Sequence, residues 1–133
     1  MSKAILFRTG LFSVLFAVLA AACGGDDDEG SEAMKRGVGS ECKSDADCTE
    51  AGQRCLPFKG GYCGVADCKV DTDCPQGSAC VTHDDSKNYC FLICLEKFEC
   101  NRYRSLEFES NCSSNITFVS GDKTHKACVP PTG

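Results

Sequence analysis

The apolar positions of this 133-residue chain fall into three regimes. Over residues 11–19 they run almost unbroken, preceded by Lys3 and Arg8 and followed by the small residues Ala20, Ala21 and Ala22, the three-part build of an export signal spanning residues 1–22. Residues 11–22 would extend about 18 Å as a helix, short of the roughly 30 Å hydrocarbon core of a bilayer, so they predict a removable leader rather than a permanent span. Residues 24–40, GGDDDEGSEAMKRGVGS, have no apolar period and too little apolar surface to fold. From residue 41 onward, short apolar runs alternate with turn residues, the pattern of β-hairpins. Residues 54–58 and 62–64 flank a turn at 59–61, residues 79–83 and 88–91 flank 84–87, and residues 116–119 and 124–129 flank 120–123. Gly, Asp and Ser in these turns supply positive φ or side-chain turn bonds. An isolated hairpin is marginal in water, so each needs a staple.

Cysteine supplies it. Of thirteen cysteines, Cys23 stands alone and twelve fall into three groups of four: Cys42, Cys48, Cys55 and Cys63; Cys68, Cys74, Cys80 and Cys90; Cys94, Cys100, Cys112 and Cys128. In every group five residues separate the first two cysteines, and an acid (Asp47, Asp73 or Glu99) directly precedes the second. The first two groups also share a glycine three places before the third cysteine, Gly52 and Gly77, and a tyrosine before the fourth, Tyr62 and Tyr89. The expected fold is therefore small and disulfide-rich: three tandem four-cysteine units, each a loop plus a short β-hairpin, with little helix. Their bounds are residues 41–66, 67–92 and 93–133, the last extended by longer spacings. Repetition on this scale predicts an array rather than one continuous core.

Charge narrows the partners. With Lys3 and Arg8 removed, 12 basic residues face 19 acidic ones, taking the formal charge from −5 to −7. No basic stripe offsets this, which excludes nucleic acid and makes anionic lipid headgroups poor candidate partners for the chain as a whole. Without Trp and with few aromatics, the chain is too small to rely on a core alone, and this cysteine density implies an oxidising compartment. Zinc is the rival use of clustered cysteines, but the five-residue spacers depart from the two-to-four-residue knuckles of structural zinc sites.

Leu19-Ala20-Ala21-Ala22-Cys23-Gly24 resembles the lipobox of bacterial lipoproteins, in which small residues precede a cysteine that takes a diacylglycerol thioether and becomes the new N-terminus. The family favours an aliphatic residue three places before the cysteine, where this chain has Ala20, with Leu19 one step further out. The resemblance implies lipidation at Cys23 and attachment to a bacterial membrane; Gly24, rather than Asp, after the cysteine resembles the lipoproteins passed to the outer membrane. The same alanines also satisfy the A-x-A rule of ordinary signal peptidase, which would leave Cys23 a free or intermolecularly paired thiol. Residues 23–40 then read as the lipidated cysteine and a flexible acidic tether with a root-mean-square span of roughly 20–25 Å. Two or three acyl chains make such attachment effectively permanent.

Over residues 41–94, Asp71-Thr-Asp-Cys74-Pro-Gln-Gly-Ser-Ala-Cys80 and its counterpart Asp45-Ala-Asp-Cys48 resemble the Dickkopf N-terminal cysteine-rich domain. In animals that family comprises secreted ligands of cell-surface receptors, so the resemblance implies a binding module. The D-x-D-C-P string is also similar to whey-acidic-protein inhibitors, whose adjacent cysteine pair is missing here. Four cysteines allow three pairings, which sequence does not distinguish. Likeness to epidermal-growth-factor-like modules implies first-to-third and second-to-fourth: Cys42–Cys55, Cys48–Cys63, Cys68–Cys80, Cys74–Cys90, Cys94–Cys112 and Cys100–Cys128.

Catalytic patterns are wanting. His83 and His125 read as exposed hairpin residues outside any H-E-x-x-H arrangement, and three complete cysteine sets leave no thiolate for nucleophilic chemistry. No enzyme and no cofactor is expected. Asp45, Asp47, Asp71 and Asp73 are expected to cap turns, with calcium ligation as the alternative use. Asn111-Cys-Ser and Asn115-Ile-Thr match a glycosylation acceptor that a bacterial lipobox makes coincidental. The long third unit is the expected recognition surface, with Arg102, Tyr103, Arg104, Phe108 and Phe118 as candidate contacts for a protein or surface ligand. Two alternatives stand beside this binding module: a protease inhibitor presenting Arg54 or Lys59, and a structural envelope protein without a discrete ligand.

Overall fold

A computed structural model describes Met34 and residues 37–132. The signal segment, Cys23 and residues 24–33 of the tether lie outside the described residues. Seven strands form: β1 (Arg54–Leu56), β2 (Tyr62–Gly64), β3 (Ser78–Thr82), β4 (Asn88–Cys94), β5 (Asn111–Ser113), β6 (Thr117–Phe118) and β7 (Lys126–Val129). Four short 3-10 turns complete the set, at Asp45–Asp47, Asp71–Asp73, Lys97–Asn101 and Leu106–Phe108. β1 and β2 pair alone, whereas the others build a five-stranded antiparallel sheet in the order β5-β7-β4-β3-β6.

The repeat is visible in the register. The third and fourth cysteines of each unit lie directly opposite one another across a strand pair: Cys55 against Cys63, Cys80 against Cys90, Cys112 against Cys128. Each is bridged to the loop that opens its unit, giving Cys42–Cys55, Cys48–Cys63, Cys68–Cys80, Cys74–Cys90, Cys94–Cys112 and Cys100–Cys128. The two bridges of a unit abut, with three of their sulfurs within 4.8 Å of one another. The loop is thereby pinned across both strands, which is how three-residue strands persist in water. Gly52 and Gly77 take positive φ (81° and 93°) to turn the chain into β1 and β3.

Two expectations are corrected. Residues 116–119 and 124–129 do not form the third hairpin: β7 pairs with β5, and β6 crosses to the edge of β3, Val81 facing Phe118. The Gly121 turn marked the wrong partner, because register follows the cysteines and Cys112 lies on β5. Nor are the units an array with separate interiors. One apolar cluster takes Leu56 and Tyr62 from the first unit, Val81, Phe91 and Leu92 from the second, and Phe118, Ala127 and Cys128 from the third, and Met34 and Val38, expected to belong to an unfolded tether, are buried in it too. Its cause is the spacing Cys90-Phe-Leu-Ile-Cys94, too short for a linker, so β4 runs straight from one unit into the next and pairs with both β3 and β7.

Aromatic side chains fill the join. Phe58 contacts Tyr62, Tyr89 and Phe91 edge-on, with centroids 5.1–6.1 Å apart. His83, expected on the surface, is 8% exposed and packs in this cluster, 5.2 Å from Phe58 and 5.8 Å from Phe91. Its position at the end of β3 turns the ring inward to cover the aromatic edge. Tyr62 is fully buried, and its hydroxyl accepts the Leu92 amide at 3.1 Å, tying the first unit to β4. Burial drives that phenol far above its ordinary range.

Candidate binding face

The loop opening each unit is built by one carboxylate. Asp47 Oδ2 accepts the amides of Lys43 and Ser44 at 2.8 and 3.0 Å, and Asp73 Oδ2 accepts those of Lys69 and Val70 at 2.8 and 3.2 Å. Glu99 Oε2 does the same for Leu95 and Glu96 at 2.6 and 2.8 Å. Those amides hold the Asp47 and Asp73 carboxyls below their ordinary value. Asp45 and Asp71 reach further, each accepting at 2.9 Å from the third cysteine of its unit, Cys55 or Cys80. All four aspartates thus serve as turn caps. Among the described residues, the groups of ligand atoms close enough to share a metal are the cysteine sulfurs already joined in disulfides.

Superposed on that common turn, the third unit differs in what it presents. Leu95 stands where the other units have Lys43 and Lys69, and Phe98 where they have Ala46 and Thr72. Both are 74% exposed, Leu106 is 89% exposed and Tyr103 51% exposed. Four large apolar side chains therefore face solvent from residues 95–106, a segment anchored by Cys94, Cys100 and their two bridges. The sequence reading named only Tyr103 of these; alignment of the repeats, which marks positions 95 and 98 as solvent positions, was the signal for Leu95 and Phe98.

The other candidates divide. Arg102 is exposed, with Nη1 3.5 Å from Met34 Sδ. Phe108 is half-buried over Gly60, where a Cβ would come within 2.5 Å of its ring, and it lines an open groove of about 610 Å³ with Glu41, Lys43 and Asp47. Arg104 and Phe118 are not surface residues. Phe118 is 4% exposed because β6 docks on β3. Arg104 is 9% exposed and caps four backbone carbonyls: Nε donates to Phe108 at 2.6 Å, Nη1 to Gly39 and Gly61 at 3.0 and 2.8 Å, and Nη2 to Lys59 at 3.0 Å. It is a bolt between the first and third units. Asn101, unremarked in the sequence, is a clasp within the third unit: its amide group donates to Lys97 and Ser110 carbonyls and accepts the Ser110 amide at 2.7 Å.

No protein-family model, curated protein or solved structure matches the chain. Its class therefore rests on the frame itself. Six disulfides in so short a fold belong to an oxidising, extracytoplasmic setting, and no helix among the described residues is long and apolar enough to cross a membrane. Arg54 lies within β1 opposite Gly64. The Lys59 amide donates to Pro131 and its carbonyl accepts from Arg104, so both of its backbone groups are engaged inside the fold rather than offered to a protease. His125 is exposed and bonded to Asp122, whose carboxyl is held far below its ordinary value by that contact first and by Thr124 second.

Proposed function

We propose that the chain is an exported lipoprotein, held at the bacterial cell envelope through Cys23, whose disulfide-stapled module acts by binding rather than catalysis. The exposed apolar set Leu95, Phe98, Tyr103 and Leu106 carries this reading. Side chains of this size gathered within twelve residues of a doubly bridged segment are costly to leave in water and mark an interaction face. The frame supports it: Arg104, Asn101 and two disulfides fix the segment before any partner arrives, which lowers the ordering cost of binding. The likeness of the D-x-D-C turns to the Dickkopf N-terminal domain points to the same class of activity. The lipid attachment and outer-membrane destination rest on Ala20-Ala21-Ala22-Cys23-Gly24.

Metabolic labelling with an alkyne fatty acid, followed by membrane fractionation, tests the reading. Label on the wild-type protein, its loss in Cys23→Ser, and release of that variant from the membrane fraction are expected. Equal labelling or equal membrane retention of the two proteins contradicts it.

A further inference from the structure

We infer that the partner of the apolar face is the lipid bilayer itself: residues 95–106 lie against the membrane to which Cys23 is anchored, so the module is docked on that surface rather than held away from it. The inference rests on the lipid-anchor reading above and adds the orientation.

Three observations carry it. The first is that the fold does not require these apolar residues. The carboxylate-capped turn is the same in all three units, and Lys43 and Ala46, or Lys69 and Thr72, serve the first two at the positions of Leu95 and Phe98. Leu95 directly precedes Glu96, the extended cap of the 3-10 turn Lys97–Asn101, Phe98 lies within that turn, and both side chains project into solvent.

The second is where the chain from Cys23 joins the fold. Met34 Sδ lies against Arg102, the Glu41 amide donates to the Tyr103 carbonyl at 3.1 Å, and a Glu41 carboxylate oxygen accepts the Ser105 amide at 2.6 Å. The incoming chain thus meets the module along residues 102–105, between Phe98 and Leu106. Ten residues lie between Cys23 and Met34, a reach of at most about 40 Å even when fully extended. An acyl anchor on Cys23 is consequently tied to the edge that bears Tyr103 and Leu106. Tethering makes docking intramolecular, so contacts too weak to recruit a free protein suffice to hold one already anchored.

The third is charge. With Arg104 buried, residues 95–106 present Lys97 and Arg102 against Glu96 and Glu99, a balanced face on a chain whose formal charge without its leader is −7. This is a face that anionic headgroups do not repel, whereas the acidic remainder of the module is turned from them by the same force. Apolar side chains entering the interface from an otherwise polar surface, with basic residues beside them, are the recurring chemistry of surface-lying segments.

The chain has no tryptophan, so single substitutions give site-specific fluorescence. The full-length acylated protein is reconstituted in vesicles of phosphatidylethanolamine and phosphatidylglycerol whose acyl chains are brominated, as Phe98→Trp, Leu106→Trp or Lys69→Trp. The last places the probe on the same turn of the second unit, at the counterpart of Leu95. Intact mass of each sample under non-reducing conditions verifies the Cys23 acyl groups and the six bridges. The expected result is a fall of about two-fold or more in the emission of Phe98→Trp and Leu106→Trp, with Lys69→Trp nearly unchanged. Acylated protein in which neither third-unit probe is quenched, or in which Lys69→Trp is quenched equally, overturns the inference and leaves the anchor reading standing. Cys23 without acyl groups overturns both.

Discussion

Arg104→Met removes the bolt between the first and third units while keeping an unbranched side chain of similar reach. Four carbonyl oxygens lose their donor: Gly39, Lys59, Gly61 and Phe108, at 2.6–3.0 Å in the native protein. A hydrogen bond to a charged group contributes about 1.5–3 kcal/mol, and each carbonyl left buried without a partner costs about 1–3 kcal/mol. The four bonds share one guanidinium and do not add, and the guanidinium's own desolvation offsets part of the gain. Burial is the main influence lowering the Arg104 pKa from its ordinary value, with Tyr62 and Glu41 opposing it. A net loss of about 3–5 kcal/mol remains, against a total stability of roughly 5–15 kcal/mol for a small domain. For a folded part of this size that corresponds to a fall in Tm of roughly 12 °C or more. Guanidinium unfolding of the disulfide-intact protein, followed by near-ultraviolet circular dichroism of its tyrosines, reads the change. Arg104→Lys keeps the charge but cannot reproduce the planar fork, so most of the loss should persist. A stability within about 1 kcal/mol of the parent for Arg104→Met, or full recovery with lysine, would refute the assignment of Arg104 as the inter-unit bolt.

Tyr62→Phe should cost about 1–3 kcal/mol by stranding the buried Leu92 amide, measured as a lower Tm together with faster hydrogen exchange at Leu92. Asp47 and Asp73 have carboxyl pKa values below the ordinary 3.8, so the stability they add is full above that value and is lost as pH falls through their lower folded values. A Tm series across pH should therefore show Asp47→Asn and Asp73→Asn lowering Tm near neutrality and losing that effect progressively as pH falls below 3.8. The bridge Cys100–Cys128 closes the longest loop, with a separation of 28 residues, and replacing both cysteines by serine should cost about 3.5 kcal/mol in denaturant unfolding.

The regular features of the fold were legible because they are local. Five residues between the first two cysteines of a unit and an acid before the second specify a turn whose carboxylate meets nearby amides, and Asp47, Asp73 and Glu99 all do so. What sequence spacing could not show was long-range. Residues 116–119 look like a hairpin arm with their own Gly121 turn, yet β6 is spent on the edge of β3, thirty-seven residues from Phe118 to its partner Val81 along the chain. Arg104 and Phe118 have the composition of interface anchors, but burial depends on what the first and second units bring to them. His83 beside a turn reads as exposed until Phe58, from another unit, closes over it. Conversely, Leu95 and Phe98 look like core and are exposed, because their turn keeps the outward geometry it has in the units where Lys and small residues occupy those places.

The central claim is a disulfide-locked module tied to a membrane through one further cysteine. Intact and peptide-level mass spectrometry of the native, non-reduced protein tests it most directly. The account predicts a chain beginning at Cys23 with diacyl or triacyl mass on that residue, and six bridges joining Cys42–Cys55, Cys48–Cys63, Cys68–Cys80, Cys74–Cys90, Cys94–Cys112 and Cys100–Cys128. An unmodified Cys23, or free thiols or bound zinc among the other twelve, would contradict it.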